Sequence, residues 1–219
     1  MIIVITSDTH FPVDPRNIPK GDVFIHAGDL MKTGYPEDFA RNLEWLRALP
    51  HQKKFFIPGN HDFHLQVYPG PALQELRAAG VTVVGLPGNT HYDTVELPNG
   101  MRMLGLPYVQ NLPRWAFNSD SDETLFEYLT QFKNNDIIVS HSPMYGIRDE
   151  VKSGVHVGMR AYRRYFEHYL EPHERPKFWF CGHIHEGYGF TRFMGTNFHN
   201  VAMCNRLEMQ VNAPVVIRV

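Results

Sequence analysis

Five short polar clusters in this chain carry side chains that bind metals or move protons. They are Asp8-Thr9-His10, Gly28-Asp29, Gly59-Asn60-His61-Asp62, the single His141, and Gly182-His183-Ile184-His185. Each follows directly on a short apolar run. Residues two apart on an extended segment share a side, so Asp8 and His10 can hold one ion, and His183 and His185 can face one pocket. Asp29 has two carboxylate oxygens, enough to bridge two ions. Asn60 adds a neutral carbonyl oxygen and His141 an imidazole. Imidazole suits zinc and iron, whereas carboxylate and amide oxygens favour manganese or magnesium. The mixed set therefore points to manganese, iron or zinc rather than calcium. A lone Asp-x-His is more often a turn than a ligand pair, so the weight lies in five clusters arriving at one place.

The elements around the clusters predict that arrival. Residues 2–6, 22–27, 53–57, 136–140 and 177–181 are short runs rich in Val, Ile or Phe, as expected of strands buried on both faces. Between them, 37–49 places Phe39, Leu43 and Leu46 on one helical face with acids in the first turn. Residues 72–79 form a shorter helix stopped by Gly80. Ser119 followed by Asp122 resembles a capping box leading into Leu125, Leu129 and Phe132, and 159–170 is a fourth helix candidate. Residues 81–84, 90–97 and 101–106 read as strands, the last two joined by the turn Pro98-Asn99-Gly100, and the tail 198–219 is strand-rich. Alternating βαβ units with hairpins predict two sheets packed face to face with helices outside. Ligands of open α/β sheets bind beyond the carboxyl ends of the strands, where all five clusters fall.

Composition narrows the function classes. A chain of 219 residues with 43% hydrophobic and 20% charged residues can bury its core as one domain, 1–219. The formal charge is −2 and no Lys or Arg run forms a phosphate-binding stripe, which argues against a long nucleic-acid track. Cys181 and Cys204 are far apart and read as two small buried apolar side chains. The first residues lack a basic region and read as a strand rather than a signal peptide. No stretch approaches the roughly 18 apolar residues of a membrane span, so the expected compartment is the cytoplasm.

The ordered set Asp8-x-His10, Gly28-Asp29, Gly59-Asn60-His61-Asp62, His141 and Gly182-His183-x-His185 resembles that of the calcineurin-like metallophosphoesterases across nearly the whole chain. The resemblance implies an α/β fold, a four-layer αββα sandwich of two mixed sheets flanked by helices, with a di-metal centre at one edge. It implies that Asp8, His10, Asp29 and His185 bind one ion, and that Asp29, Asn60, His141 and His183 bind a second. Manganese is the first expectation for both ions, with iron or zinc as alternatives. It also implies that His61 stands free of metal beside the scissile bond and that Asp62 orients it. The stretches from His26 to Asp29, Ser140 to Pro143 and Gly182 to Gly189, with Asn200 and Asn212-Ala213-Pro214, are similar to a narrower branch of small metallophosphoesterase-domain proteins. That branch implies hydrolysis of a small phosphodiester, including cyclic nucleotides. Asp62 departs from its pattern, which often has Glu there.

Two metals together lower the pKa of a shared water and clamp a phosphate during in-line displacement. His61 is the candidate proton donor to the leaving oxygen, because imidazole titrates near neutral pH. The rival readings are a phosphomonoesterase or protein phosphatase on the same centre, and a non-catalytic binding module of this fold. Among the other histidines, His26 reads as a core residue, and His64, His91, His168 and His173 read as surface. Residues 142–158, with Arg148 and His156, form a long loop that could cover the substrate. Glu186 and Asn205 are candidates to support the ligands, while Tyr35, Tyr108 and Trp115 are candidate stacking faces.

Overall fold

A computed structural model describes residues 1–86, 93–110 and 112–219. One sheet contains β1 (Ile2–Thr6), β2 (Val23–His26), β3 (Lys53–Phe56), β4 (Val81–Val83) and β11 (Val215–Arg218). Its order is β11-β1-β2-β3-β4, parallel except for β11. The second contains β5 (Thr94–Glu96), β6 (Arg102–Leu106), β7 (Ile137–Ser140), β8 (Phe178–Cys181), β9 (Gly189–Phe193) and β10 (Thr196–Asn200). Its order is β5-β6-β7-β8-β10-β9, with β5 and β9 antiparallel to their neighbours.

Strand alternation builds four layers. Ile3, Ile5, Ile25, Met103, Ile137, Val139 and Phe180 form the layer between the two sheets. Their neighbours Val4, Phe24 and Phe56 turn to the opposite face, onto α1 (Pro36–Ala48) and α3 (Pro69–Ala78), which supply Phe39, Leu43, Leu46 and Leu76. Leu104, Ile138 and Trp179 likewise turn outward, onto Leu125 and Leu129 of α4 (Asp122–Leu129) and Tyr162 of α5 (Arg160–Arg164). A short α2 (Phe63–Val67) follows the third polar cluster. The architecture is the αββα sandwich that the sequence leads one to expect. Among the described residues, no helix is long and apolar enough to cross a membrane.

Several local expectations shift. The cap of α4 is Ser121, whose hydroxyl accepts from Thr124 N at 3.1 Å. Ser119 is instead tied to Val109 through its backbone amide. The helix over 159–170 is α-helical only to Arg164 and continues with a π-helical turn, Tyr165–Tyr169. Of the strand expected over 90–97, Thr94–Glu96 is observed; 90–92, with His91, lie outside the described residues. The strand-rich tail is two strands in different sheets, so the chain crosses from one sheet to the other after β10. The β9–β10 hairpin turns through Met194 and Gly195, both at positive φ, in place of the familiar Asn-Gly pair. Cys181 and Cys204 are buried free thiols.

Trp179 links this packing to a polar cluster. It is fully buried among Tyr162, Phe166 and Phe198, and its Nε1 donates to Ser140 Oγ at 2.8 Å, one residue before His141. Trp179→Phe removes that donor and opens a small void. We expect a loss of about 1–3 kcal/mol in unfolding free energy. Urea denaturation checks this; an unshifted midpoint would show that neither the indole N–H nor its volume contributes to stability.

Candidate metal centre

The two sheets are laced together at the edge where the clusters emerge. Ser7 N donates to Val201 O at 3.1 Å and Met203 N donates to Ser7 O at 2.8 Å, joining the end of β1 to the segment after β10. The loops after β1, β2 and β3 bring Asp8, His10, Asp29, Asn60 and His61; those after β7 and β8 bring His141, His183 and His185. Asp8, His10, Asp29 and His183 all have left-handed backbones, with φ of 52, 53, 55 and 64°. The extended geometry expected for Asp8-x-His10 and His183-x-His185 is therefore absent, and sharp kinks aim the side chains instead. Such conformations cost on the order of 1–3 kcal/mol each and persist where surrounding bonds over-determine them. Here Asp8 N donates to Gly28 O and His10 N to Asp29 O.

Close approach explains two glycines. Gly28 has φ +99°, and a Cβ there would overlap the His141 ring; a Cβ at Gly182 would overlap the Asp8 carboxylate and Ser7 Oγ. Both must be bare for the loops of the two sheets to meet.

Candidate ligand atoms gather into overlapping groups, each within 4.8 Å: Asp8, His10 and His185; Asp29, His141 and His183; and His10, Asp29 and His61. Asp29 joins the last two. Its Oδ1 lies 3.3 Å from His141 Nε2, and its Oδ2 lies 3.9 Å from His61 Nε2. Asn60 Oδ1 lies 2.9 Å from His141 Nε2. On the other side, His185 Nε2 is 3.4 Å from both Asp8 Oδ1 and His10 Nε2.

These residues fit divalent cations on one observation of their own. His10, His141 and His185 each place Nδ1 against a backbone carbonyl: Met31 O at 3.3 Å, Ala27 O at 3.0 Å and Asn205 O at 2.9 Å. A carbonyl oxygen only accepts, so Nδ1 carries a proton and Nε2 is turned into the cluster. This is the outer bonding that orients metal-ligating imidazoles. The electrostatics agree. Burial opposes charge on Asp8, but the hydrogen bond from His185 and the charge of His141 hold its carboxyl at about 2. Burial also opposes charge on Asp29, yet His141, His61 and His10 hold it well below the usual carboxylate range. Against burial, Asp29 pushes His141 up to about 9, and Asp8 pushes His185 up to about 9. Burial and the charge of His141 push His183 down to about 4. The two carboxylates thus favour positive charge on His141 and His185, whereas burial disfavours it on His10 and His183.

His61 stands at the rim with its side chain 16% exposed. Its Nδ1 donates to Lys32 O at 2.6 Å, and Trp115 packs on its ring at 4.3 Å between centroids. Asp62 does not orient it directly. The buried Asp62 carboxylate instead accepts from Gly59 N at 2.7 Å, Asp29 N at 2.9 Å and Met31 N at 3.0 Å. Burial and the charge of Asp29 push Asp62 up to about 8. Its role runs through the main chain: it fixes the turn whose next carbonyl, Lys32 O, holds His61. Asp38 at the start of α1 fixes the same turn by accepting from Lys32 N and Thr33 N, both at 2.8 Å.

The remaining expectations sort as follows. His26 is a buried core residue, with Nε2 3.0 Å from Thr9 Oγ1, and burial pushes it down to about 3. His168 and His173 are exposed, but His64 is half-buried and stacks on Phe39 at 4.3 Å. Glu186 pairs with Arg206 at 3.0 Å. Asn205 supports His185 through its carbonyl rather than its side chain. Trp115 is at the site, whereas Tyr108 lines a separate cavity with Leu65, Phe117 and Tyr128, and Tyr35 is exposed at the start of α1. Sequence reasoning passed over Asn200 as a supporting residue. It is fully buried, and its Nδ2 donates to Ile184 O at 2.9 Å, Gly182 O at 3.2 Å and Arg148 O at 3.3 Å. An Asn ending a strand beside a His-x-His loop was the available signal.

A calcineurin-like phosphoesterase family model matches residues 1–187. Metallophosphoesterase domain-containing protein 1 of Homo sapiens is 31% identical over 98% of this chain and 69% of its own length. UPF0046 protein T07D4.2 of Caenorhabditis elegans is 28% identical over 93% of this chain and 56% of its own length. A solved structure of a hypothetical protein from Thermus thermophilus aligns over 91% of this chain and 75% of that one, at 17% identity and TM-score 0.47.

Asn200→Ala removes the side-chain donor shared by Ile184 O and Gly182 O, which are left with only the backbone amides of Gly187 and Ile184. We expect it to lower stability by about 2–4 kcal/mol and to weaken divalent-metal binding. Urea unfolding and a metal titration check the two effects; unchanged values in both would remove Asn200 from the site's support.

Proposed function

The chain belongs to the calcineurin-like phosphoesterase family, and from that membership we propose that it is a metal-dependent phosphodiesterase acting on a small phosphodiester, a cyclic nucleotide being one such substrate. The observation that carries the reading is Asp29, whose two oxygens face different imidazoles, His141 and His61, at the junction of the ligand groups. In this reading Asp8, His10, Asp29 and His185 hold one divalent cation, and Asp29, Asn60, His141 and His183 hold another, manganese being the first choice. When bound, such ions supply Lewis acidity toward phosphoryl oxygens and an activated water at neutral pH.

The chain's own residues do the rest. Nδ1 of His61 keeps its own proton on Lys32 O, so the proton available for transfer is the second one, carried at Nε2 by the imidazolium form, on the side facing Asp29. That nitrogen gives its proton to the ester oxygen that leaves. Trp115 packs against the ring at a tilt of 45° and limits its movement. Asp62 and Asp38 keep the 29–33 turn in place, so the proton donor holds its position relative to the ligands. The preference for diesters over monoesters rests on the likeness to the small metallophosphoesterase-domain branch.

Three measurements test the reading. Asp29→Ala should lower bound metal toward zero; a variant that keeps two ions per chain and full turnover would show that the site is misassigned. Metal-reconstituted protein should have a higher kcat/KM on bis-p-nitrophenyl phosphate than on p-nitrophenyl phosphate, and the reverse order favours a phosphomonoesterase. His61→Ala should retain metal yet lose about 10²–10⁴-fold in kcat. That loss should be smaller for a p-nitrophenolate leaving group than for an alkoxide, since only the alkoxide needs the proton. Equal losses on both would refute the acid role.

A further inference from the structure

The loop 142–158 carries a further carboxylate–imidazole pair, one that the reaction described above does not use. Asp149 is fully buried, and its Oδ2 accepts from Gly158 N at 2.8 Å and Gly146 N at 2.9 Å. Its Oδ1 lies 2.6 Å from Nδ1 of His156, a side chain that is 42% exposed. The loop is tightly held. Val157 N donates to Asp149 O, Val151 N to Val155 O, and Met159 N to Pro143 O. Arg148 donates to Thr191 Oγ1 and to the Phe190 carbonyl.

The ring of His156 lines a cleft of about 450 Å³ together with Gln110, Tyr145, Arg160 and His183. Arg160 lies over the Tyr145 ring at 3.9 Å, and Tyr145 is 5.9 Å from His156. The cleft therefore runs from a candidate metal ligand to a row of flat, hydrogen-bonding side chains. Asp149 engages only Nδ1 of His156. His156 also borders a second pocket, with Arg148, Lys152 and Glu186.

We propose that this cleft receives the uncleaved organic arm of the phosphodiester, with His156 contacting that arm and Asp149 as its positioning residue. The inference rests on the phosphodiesterase reading. A monoester has no second arm, so the cleft gives the chain a physical reason to discriminate: it rewards the substrate that fills it. Arg160 and Tyr145 offer a planar wall, which suits an aromatic or heterocyclic arm over an alkyl one.

The test is His156→Gln, which keeps an amide donor for Asp149 and removes the imidazole from the cleft. The substrates are bis-p-nitrophenyl phosphate and methyl p-nitrophenyl phosphate, which share a leaving group and differ only in the retained arm. The variant should shift the ratio of their kcat/KM values about tenfold against the aryl diester, chiefly through KM. Asp149→Asn should shift it in the same direction. A ratio unchanged from the parent, even with both activities reduced, would mean a structural role and overturn the proposal. Calorimetric binding of diphenyl phosphate to metal-loaded protein gives a readout that needs no turnover. If the parent hydrolyses no diester, the functional reading fails, while weaker diphenyl phosphate binding by His156→Gln would still support the cleft assignment. Equal affinities would overturn it.

Discussion

Two fully buried carboxylates, Asp8 and Asp29, lie where the edges of the two sheets meet, and everything around them answers to that charge. An isolated buried carboxylate costs several kcal/mol. Each is answered by imidazoles from the opposite sheet, Asp8 by His185 and Asp29 by His141. The backbone contributes as well. His183 N donates to Asp8 at 2.9 Å, and His61 N donates to Asp29 at 2.8 Å. The sandwich is thus closed at this edge by electrostatics and hydrogen bonds, while Ile3, Ile25, Val139 and Phe180 close it elsewhere by packing.

That arrangement needs rigidity in segments with little regular structure. It comes from layers of polar groups behind the ligands. Carbonyls of Ala27, Met31, Lys32 and Asn205 aim four imidazoles, Asp62 and Asp38 fix the turn after β2, and Asn200 clamps the loop after β8. The left-handed kinks at Asp8, His10, Asp29 and His183 are held through their own amides, which donate to Gly28 O, Asp29 O, Asp62 and Asp8. The site is preorganised by main-chain atoms more than by side chains, so much of its precision is independent of residue identity at the carbonyl positions.

This explains what could be read from the sequence. Side-chain chemistry was legible: β1, β2, β3, β7 and β8 follow from their β-branched and aromatic runs, and the polar clusters at their ends mark the site. Backbone roles were not, because any residue has a carbonyl; nothing in the letters of Met31 or Lys32 announces that they hold His10 and His61. The route by which Asp62 acts was hidden for a related reason. The resemblance gave Asp62 the orienting of His61 but not the route, which a tight turn sends through the backbone amides of Gly59, Asp29 and Met31. The β9–β10 hairpin escaped because Met194 adopts a positive φ normally left to Asn or Gly, and His64 seemed a surface residue until the packing of α2 put it on Phe39.

The pairing of β1 with β11 has a bearing on how the chain is made. β1 takes its parallel partner β2 from about twenty residues away, but its other edge pairs with 215–218, with Ile2 opposite Arg218. At ribosomal rates of about 5–20 residues per second, that edge waits on the order of tens of seconds for its partner. Through that interval the nascent chain exposes Ile-Ile-Val-Ile, a short uncharged β-forming segment of the kind that recruits strands from other chains. Ser7, just beyond it, waits almost as long for Val201 and Met203. The unpaired edge of β1 thus belongs to the incomplete chain and not to the finished fold, where β11 covers it.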